Sequence, residues 1–278
     1  MKLLKSIWLI TAISISLLGQ AQESLNNTLK KNQFQFGFGI QYGKTLDLQF
    51  SPNLYQFTRP GVELGYCRVS QTGIFTTALN LAGGTLKPNS GGFKTVYTRN
   101  TDFYGEETIE DTELINPQML LDFHLGYLRK VRGYSNGHRI LYFGGKIHEH
   151  LTFAPGLINL GTINYLSLSP AISSEWMLPN GKSLAGEFEM SMLSVVTRLP
   201  YHNAPAIPGK SDFATFFTGH NSIESLMHLQ NINLSVSYPV LTGKKMALYA
   251  AYKFNWMHYS LPEHLTETAS QIQLNFNF

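Results

Sequence analysis

The sequence predicts an all-β fold, an antiparallel β-barrel that crosses a membrane with about ten strands. Repeated segments alternate apolar and polar side chains, which is the pattern of a strand whose two faces meet different surroundings. Beyond the first 21 residues no apolar stretch is long enough for a membrane helix. The chain of 278 residues is also rich in Phe and Tyr and only 14% charged. Such a composition is typical of a barrel whose lipid-facing and lumen-facing residues balance each other.

Residues 1–21 have the features of a cleaved export signal. Lys2 and Lys5 form a positive start, Ile7 to Leu18 is apolar, and Gly19 to Ala21 supplies small residues before a cleavage site. The apolar run is shorter than the roughly 20 residues that a transmembrane helix needs. We therefore expect a signal peptide over residues 1–21 and a barrel domain over residues 22–278.

Charge and cysteine content limit the other possibilities. The formal net charge of +3 falls further when Lys2 and Lys5 are removed, so nothing indicates a nucleic-acid partner. Cys67 is the single cysteine of the chain and cannot form an internal disulfide. Stability must then come from closure of the sheet or from a sizeable core, and Cys67 is interpreted as a lumen filler.

Ten segments with the period of a strand follow one another along the chain, each with an apolar row on one face. In order they are Phe34 to Phe50, Gly61 to Val69, Ile74 to Ala82, Pro117 to Arg129, Arg139 to Leu151, Asn164 to Trp176, Lys182 to Val196, His228 to Val240, Lys245 to His258, and Glu267 to Phe278.

The first segment allows two interpretations. Gly43 and Lys44 could make a hairpin turn, yet the apolar phase continues through Leu46, Leu48 and Phe50. We favour one strand, because the residues after such a turn are too few to cross a membrane. Splitting the segment would give eleven strands, or twelve if Phe93 to Asn100 also joined the wall. A twelve-stranded barrel is therefore the alternative.

The next four segments set apolar rows against polar or small residues. The apolar rows, in chain order, are Val62, Leu64 and Tyr66; Phe75, Leu79 and Leu81; Met119, Leu121, Phe123, Leu125 and Tyr127; and Leu141, Phe143 and Ile147.

The last five segments continue the same pattern, with Ser, Asn, Gln and Glu on the opposite face. Their apolar rows are Leu166, Leu168 and Ile172; Leu184, Phe188, Met190 and Met192; Ile232, Leu234, Val236 and Tyr238; Leu248, Tyr252, Phe254 and Trp256; and Ile272, Leu274, Phe276 and Phe278.

The links between segments alternate in length, as they do in barrels that keep short turns on the periplasmic side and longer loops outside. The short links are Ser70 to Gly73, Gly133 to Gly137, Pro179 to Gly181 and Leu241 to Lys244. The long links are Gly83 to Asn116 and Thr197 to Leu226, with Ser51 to Pro60 and Thr152 to Gly161 as smaller outer loops.

The closing segment, Ala269 to Phe278, resembles the last strand of Gram-negative outer-membrane β-barrel proteins. It alternates without a break, with Ile272, Leu274, Phe276 and Phe278 on one face. The resemblance implies residence in the outer membrane, in contact with its lipid. It also implies that these four residues form an assembly signal for the barrel-assembly machinery.

The alternation points a set of ionisable side chains into the lumen: Asp122, His124, Lys146, His148, His150, Glu187 and Glu189. His148 and His150 are two apart on one strand and could share a metal ion with a carboxylate, or a proton-transfer site could form. We favour a structural network of paired charges, because a narrow barrel fills its interior with side chains. Accordingly, no catalytic, cofactor-binding or metal-binding residue is predicted.

These observations predict an outer-membrane barrel without catalytic activity. It would serve as a scaffold, binding platform or accessory subunit of an envelope complex, with a protein partner at its outer loops. One alternative is a narrow pore for small solutes. Another is an outer-membrane hydrolase using a His/Asp/Glu cluster in the lumen or at the rim. Outward rows of large apolar residues argue against a soluble lipid-binding barrel.

Overall fold

The computed structural model describes residues 32–90, 95–101, 105–113, 116–134, 138–154, 160–199, 209, 211–217, 221–243 and 245–278. The predicted signal peptide lies outside the described residues.

The described residues form fourteen strands, one short helix and one 3₁₀ turn. The strands are β1 (Asn32–Asp47), β2 (Leu54–Val69), β3 (Gly73–Pro88), β4 (Thr95–Thr101), β5 (Glu107–Glu113), β6 (Asn116–Lys130), β7 (Arg139–Phe153), β8 (Ile163–Met177), β9 (Ser183–Met190), β10 (Leu193–Thr197), β11 (Asn221–Ser225), β12 (Leu229–Thr242), β13 (Ala247–Tyr259) and β14 (Leu265–Asn277). The helix α1 is Asp212–Phe217, and the 3₁₀ turn is Arg132–Tyr134.

Twelve of these strands close into one antiparallel barrel. The first strand, β1, pairs with both β2 and β14, so that Phe38 lies opposite Val62 on one side and Leu274 on the other. On the far side of the barrel, β9 joins β8 to β12 and closes the ring. Because β9 and β10 continue one another, as do β11 and β12, the wall has ten strands. The prediction of ten strands is confirmed, and the alternative of twelve is wrong.

The two remaining strands are β4 and β5, and β4 overlaps Phe93 to Asn100, the segment that the twelve-strand alternative added to the wall. They pair with each other as a separate two-stranded sheet, with Thr95 opposite Glu113 and Thr101 opposite Glu107. The long predicted loop between β3 and β6 therefore contains a hairpin. Among the described residues, these strands pair only with each other and add nothing to the wall.

Gly43 lies inside a continuous first strand, at the position where Gly43 and Lys44 could have formed a hairpin turn. Gly43 lies in the middle of β1, opposite Phe57 on β2 and Ala269 on β14. A Cβ atom at this position would overlap the Phe57 ring and the Thr268 carbonyl oxygen. The glycine allows close approach to its neighbours, and the prediction of a single strand is confirmed. The predicted end of this strand at Phe50 is wrong, because β1 ends at Asp47 and a turn follows.

Several predicted strand ends are wrong, because residues typical of loops lie inside the wall strands. The second wall strand starts at Leu54, seven residues before the predicted start at Gly61. The direct pairing of β2 with β3 is interrupted between Thr58 and Gly61, around Pro60. Proline cannot donate to a ladder and is tolerated at such irregularities, so Pro60 marks an interruption and not the strand end.

Two other segments also differ from prediction. The strand predicted over Lys182 to Val196 is divided by Ser191 and Met192 into β9 and β10. The predicted loop Thr197 to Leu226 contains both α1 and β11. The short turn before β13 begins after Thr242, so the predicted turn over Leu241 to Lys244 starts too early.

The outward faces of the wall strands are apolar and exposed. Phe34, Ile40 and Leu64 are each more than half exposed, and Ile272 is 70% exposed. On β7 the outward set also includes Glu149, which is partly buried. Broad exposure of large apolar side chains on a closed barrel is expected for a wall that faces lipid.

The two ends of the barrel differ in their links. Short turns join β2 to β3, β6 to β7, β8 to β9 and β12 to β13, and we call this the short-turn end. The opposite, long-loop end carries the β4–β5 hairpin and helix α1. Among the described residues, no helix combines the length and apolar character needed to span a membrane.

A small buried apolar cluster of Leu128, Tyr142 and Ala171 lies near the short turns, but most buried apolar side chains of the lumen lie toward the long-loop end. Two buried clusters lie there, and Leu160, from the link between β7 and β8, belongs to one of them. Their members are Tyr55, Phe57, Leu86, Leu160 and Ala269, and Ile163, Tyr165, Val196, Leu229, Met257, Tyr259 and Leu265. Helix α1 packs elsewhere, with Phe216 against Leu151 and Leu199.

Candidate lumen site

Strand register brings the predicted lumen residues together at mid-barrel. On β6 and β7, Asp122 lies directly opposite His150, and His124 lies directly opposite His148. Side chains two residues apart point to the same face of a strand, so all four enter the lumen together. We call Asp122, His148, His150 and Glu189 the lumen cluster; Glu189 comes from β9.

The lumen cluster is built around one carboxylate oxygen. Oδ1 of Asp122 lies 2.5 Å from Nδ1 of His150 and 3.5 Å from Nε2 of His148. The other ring nitrogen of His148 faces Oε1 of Glu189 at 3.8 Å and Nδ2 of Asn233 at 3.5 Å. His148 is thus held between two carboxylates, with each ring nitrogen directed at one of them.

Two lysines pair with further lumen carboxylates. Lys146 contacts Glu187 directly and lies 3.9 Å from Glu189. Lys253, from β13, contacts Glu63, from β2. These ion pairs cross the lumen between strands that are not neighbours, which the sequence alone could not indicate. His124 lines the same cavity.

The cluster contains buried polar atoms without hydrogen-bond partners among the described residues. They are Oε1 of Glu189, Nε2 of His150 and the hydroxyl oxygen of Tyr165. The His150 ring is stacked on the Tyr165 ring, with centroids 4.7 Å apart and planes 14° from parallel. Stacking fixes the orientation of the imidazole. Buried polar atoms normally have hydrogen-bond partners, so the lack of partners for these three atoms requires an explanation.

A cavity of about 370 Å³ lies beside the cluster. Asp122, His148 and Glu189 line its inner part, while Cys67, Ile74 and other residues near the short turns line the remainder. The chamber therefore extends from the cluster toward the short-turn end.

A second polar group, not predicted from the sequence, closes the chamber toward the long-loop end. Arg59 is fully buried and forms an ion pair with Glu267, with Nη1 and Oε1 3.1 Å apart. The same guanidinium donates to Gln41 and contacts Gln118. Its plane lies over the Phe57 ring, with the Arg59 Cζ atom 3.6 Å from the ring centroid. These contacts tie four wall strands, β1, β2, β6 and β14, across the lumen.

A third polar group lies at the mouth of the long-loop end. Nη2 of Arg198 lies 2.6 Å from Oδ1 of Asp47, and both side chains are almost fully buried. The other Asp47 oxygen accepts a hydrogen bond from the Gly161 amide at 2.9 Å. Burial lowers the pKa of the Arg198 guanidinium, while the charge of Asp47 opposes that shift. The hydrogen bond to Asp47 holds Gly161, which lies just before β8, at the mouth.

The sequence contained only weak signs of these two groups. Arg59 and Arg198 fall in segments that were predicted to be loops, where a charge is ordinarily solvated. Asp47 and Glu267 lie in predicted strands at positions that face the lumen, and this orientation was the sign of their role in the sequence.

Together, the closed ten-stranded sheet, the apolar outward rows and the polar lumen define an outer-membrane β-barrel. No protein-family model and no curated protein sequence matches the chain.

Solved structures with a similar architecture are outer-membrane barrels. The outer membrane protease OmpT from Escherichia coli is 9% identical, with a TM-score of 0.40 over 92% of this chain and 99% of that one. The translocator domain of the autotransporter NalP from Neisseria meningitidis is 7% identical, with a TM-score of 0.40 over 99% and 98%. The toluene transporter TodX from Pseudomonas putida is 8% identical, with a TM-score of 0.32 over 94% and 92%. These are likenesses of fold, and no functional residue is transferred from them.

Proposed function

We propose that this protein is a non-conducting, non-catalytic outer-membrane barrel that binds a small ligand in its lumen from the periplasmic side. The observation that carries the proposal is the unequal filling of the lumen. Apolar clusters and the buried Arg59–Glu267 pair occupy the half toward the long loops. A chamber of about 370 Å³ runs from the level of Glu267 past the lumen cluster toward the short turns, where the only buried apolar cluster among the described residues is the small one of Leu128, Tyr142 and Ala171.

Packing and buried charge together disfavour a pore. A water-filled path needs polar groups that remain hydrated, as in the polar interior of porins. The side chains of Arg59 and Glu267 are instead 0% and 3% exposed and pair with each other. Opening a path would separate these charges inside the barrel, which is costly. The rival role as a solute pore therefore has less support than binding.

The single cysteine offers a direct test of the chamber, because Cys67 lines it near the short turns. In Gram-negative cells, a small membrane-permeant thiol reagent should label Cys67. A bulky maleimide that cannot cross the outer membrane should not label it in intact cells. The matched control is Asn100→Cys in a Cys67→Ser background, which places the thiol in the β4–β5 hairpin and should react with the bulky reagent.

Two results would contradict the proposal. Labelling of Cys67 by the bulky reagent in intact cells would show that the chamber opens outward. Stepwise ion conductance of the purified protein in planar lipid bilayers, beside an open porin as positive control, would show a pore.

A second candidate role is contact with an envelope protein through the β4–β5 hairpin. This hairpin forms its own sheet apart from the wall, and Ile109 on it is 63% exposed. An exposed apolar side chain on a free hairpin is suited to strand or side-chain contacts with a partner. A photoreactive residue placed at Ile109 should crosslink to an envelope protein that the same photoreactive residue at Tyr134, which is 72% exposed at the short-turn end, does not capture.

A further inference from the structure

We propose that the lumen cluster is a binding site for one divalent transition-metal ion of the zinc type. His148, His150 and Asp122 would be the protein ligands, and Glu189 would orient His148 from behind. The proposal deepens the proposed function, because it names the ligand class of the same chamber. It rests on three separate features of the described residues: geometry, charge and unsatisfied polar atoms.

The geometry provides three ligand atoms of suitable chemistry. One atom each from Asp122, His148 and His150 can be chosen so that all lie within 4.8 Å of one another. Two imidazoles and a carboxylate are a common ligand set for zinc sites that keep a position open. Zinc–ligand bonds of about 2.0–2.2 Å in tetrahedral geometry separate the ligand atoms by about 3.4 Å. The His148–Asp122 distance of 3.5 Å already fits, and the His150–Asp122 hydrogen bond of 2.5 Å would have to open.

The charges around the chamber call for a cation. With the histidines counted as neutral, five carboxylates line the chamber (Asp122, Glu63, Glu187, Glu189 and Glu267) against two lysines, Lys146 and Lys253, and the Arg59 partner of Glu267. The lysines pair with Glu187 and Glu63. Asp122 then faces only the two histidines, and Glu189 has Lys146 at the longer distance of 3.9 Å. A divalent ion at Asp122 would offset the excess of two negative charges in this group.

The unsatisfied atoms favour a metal over a purely structural network. A buried network that serves stability is expected to satisfy its members. Oε1 of Glu189 has no hydrogen-bond partner among the described residues, although Glu189 is 5% exposed. It faces Nδ1 of His148. When Nε2 of a histidine binds a metal, its other nitrogen carries the proton and commonly donates it to a carboxylate. Glu189 is placed for that role, which requires the amide nitrogen of Asn233, 3.5 Å from the same Nδ1, to turn away.

The chamber supplies a further requirement, space beside the ligands for an open coordination position. It runs from the cluster toward the short-turn end, past Cys67. With three protein ligands, the fourth position of the ion would face this space and could hold water or a small anionic ligand.

Equilibrium dialysis of the untagged, detergent-purified barrel against Zn²⁺ tests the proposal. We expect one zinc per barrel, and we expect His148→Ala and Asp122→Asn to abolish this uptake. Glu189→Gln should weaken binding by about 10–100-fold, the usual effect of removing the outer partner of a ligand. Co²⁺ should give visible absorption bands in the wild type that His148→Ala lacks.

The double variant His258→Ala with His264→Ala is the matched control. The imidazole rings of these two histidines are stacked 5.2 Å apart and do not line the chamber, so removing both rings should leave zinc uptake unchanged. Heat-modifiable migration on gels confirms folding of each variant. If His148→Ala does not fold, His150→Gln in the folded state replaces it. Failure of the wild type to take up zinc, or equal uptake by the folded ligand variants, overturns the proposal.

Failure here is distinguishable from failure of the proposed function. If the barrel takes up no zinc but shows the expected Cys67 labelling and no conductance, the proposed function stands and only the metal site is ruled out. A barrel that conducts ions loses the proposed function whatever its zinc content.

Discussion

Nδ1 of His150 lies 2.5 Å from Oδ1 of Asp122, across the paired strands β6 and β7. The two residues are directly opposite in register. A slip of one residue would turn Asp122 toward the lipid and Phe123 into the lumen, so the apolar rows that hold the barrel in the membrane also hold this contact in place. The wall and the site are thus specified by the same alternation.

The buried Arg59–Glu267 pair should matter for stability when only one partner is removed. Arg59→Ala leaves the Glu267 carboxylate buried without its cation, at an expected cost of about 3–5 kcal/mol. The midpoint temperature of unfolding, followed by heat-modifiable migration, should fall clearly. Replacing both partners, as in Arg59→Met with Glu267→Leu, should recover much of the loss.

The exposed pair Arg99–Glu107 is the control for this comparison. Its side chains are 66% and 52% exposed, so solvent screens their attraction and Arg99→Ala should leave the midpoint unchanged. An Arg59→Ala barrel as stable as the wild type would mean that the pair across the lumen does not hold the wall strands together.

Gly43 should be sensitive even to alanine. A methyl group there would overlap the Phe57 ring and the Thr268 carbonyl oxygen, and overpacking of this kind costs about 1–3 kcal/mol. Gly83→Ala is the matched strand control, because its nearest neighbour would be a carbonyl oxygen 3.9 Å away. Urea unfolding in detergent should separate the two variants. Equal midpoints would show that β1 and β2 can move apart at no cost.

An arginine on the outward face should be tolerated at the end of β1 and not at its middle. Ile40 is 58% exposed and lies mid-strand, whereas Phe34 is 66% exposed and lies near the short-turn end. Arginine at the bilayer midplane costs about 2–4 kcal/mol and near an interface about 0–1 kcal/mol. Ile40→Arg should therefore lower the folded fraction in lipid vesicles much more than Phe34→Arg. The reverse order would place the membrane elsewhere on the barrel.

Loop accessibility should report the orientation. An epitope inserted at Asn100, in the β4–β5 hairpin, should bind antibody on intact cells. An epitope at Gly243, between β12 and β13, should bind only after the outer membrane is permeabilised. Antibody binding to the Gly243 epitope on intact cells would show that the barrel has the opposite orientation. The chamber would then be reached from the other side of the membrane.

Much of the architecture could be predicted because alternation is a local property. Ile272 and Gln273 face different surroundings whatever the rest of the chain does, and the same rule gave the inward phase of Asp122 and His148. Strand ends were less predictable. Pro60 and Gly83 read as loop residues, yet both lie within wall strands, because pairing with long neighbours extends a strand past locally unfavourable residues.

The sequence by itself determined that this chain has two-faced strands, an apolar outer surface and ionisable groups directed inward. These follow from residue type and a period of two. Only the tertiary structure decided which inward groups meet. Arg59 and Glu267 are far apart in the chain and come together because β1 pairs with both β2 and β14 when the barrel closes. Glu189 reaches His148 for the same reason, through β8 and β9. Closure converts positions on separate strands into distances across a lumen, and no local pattern contains those distances.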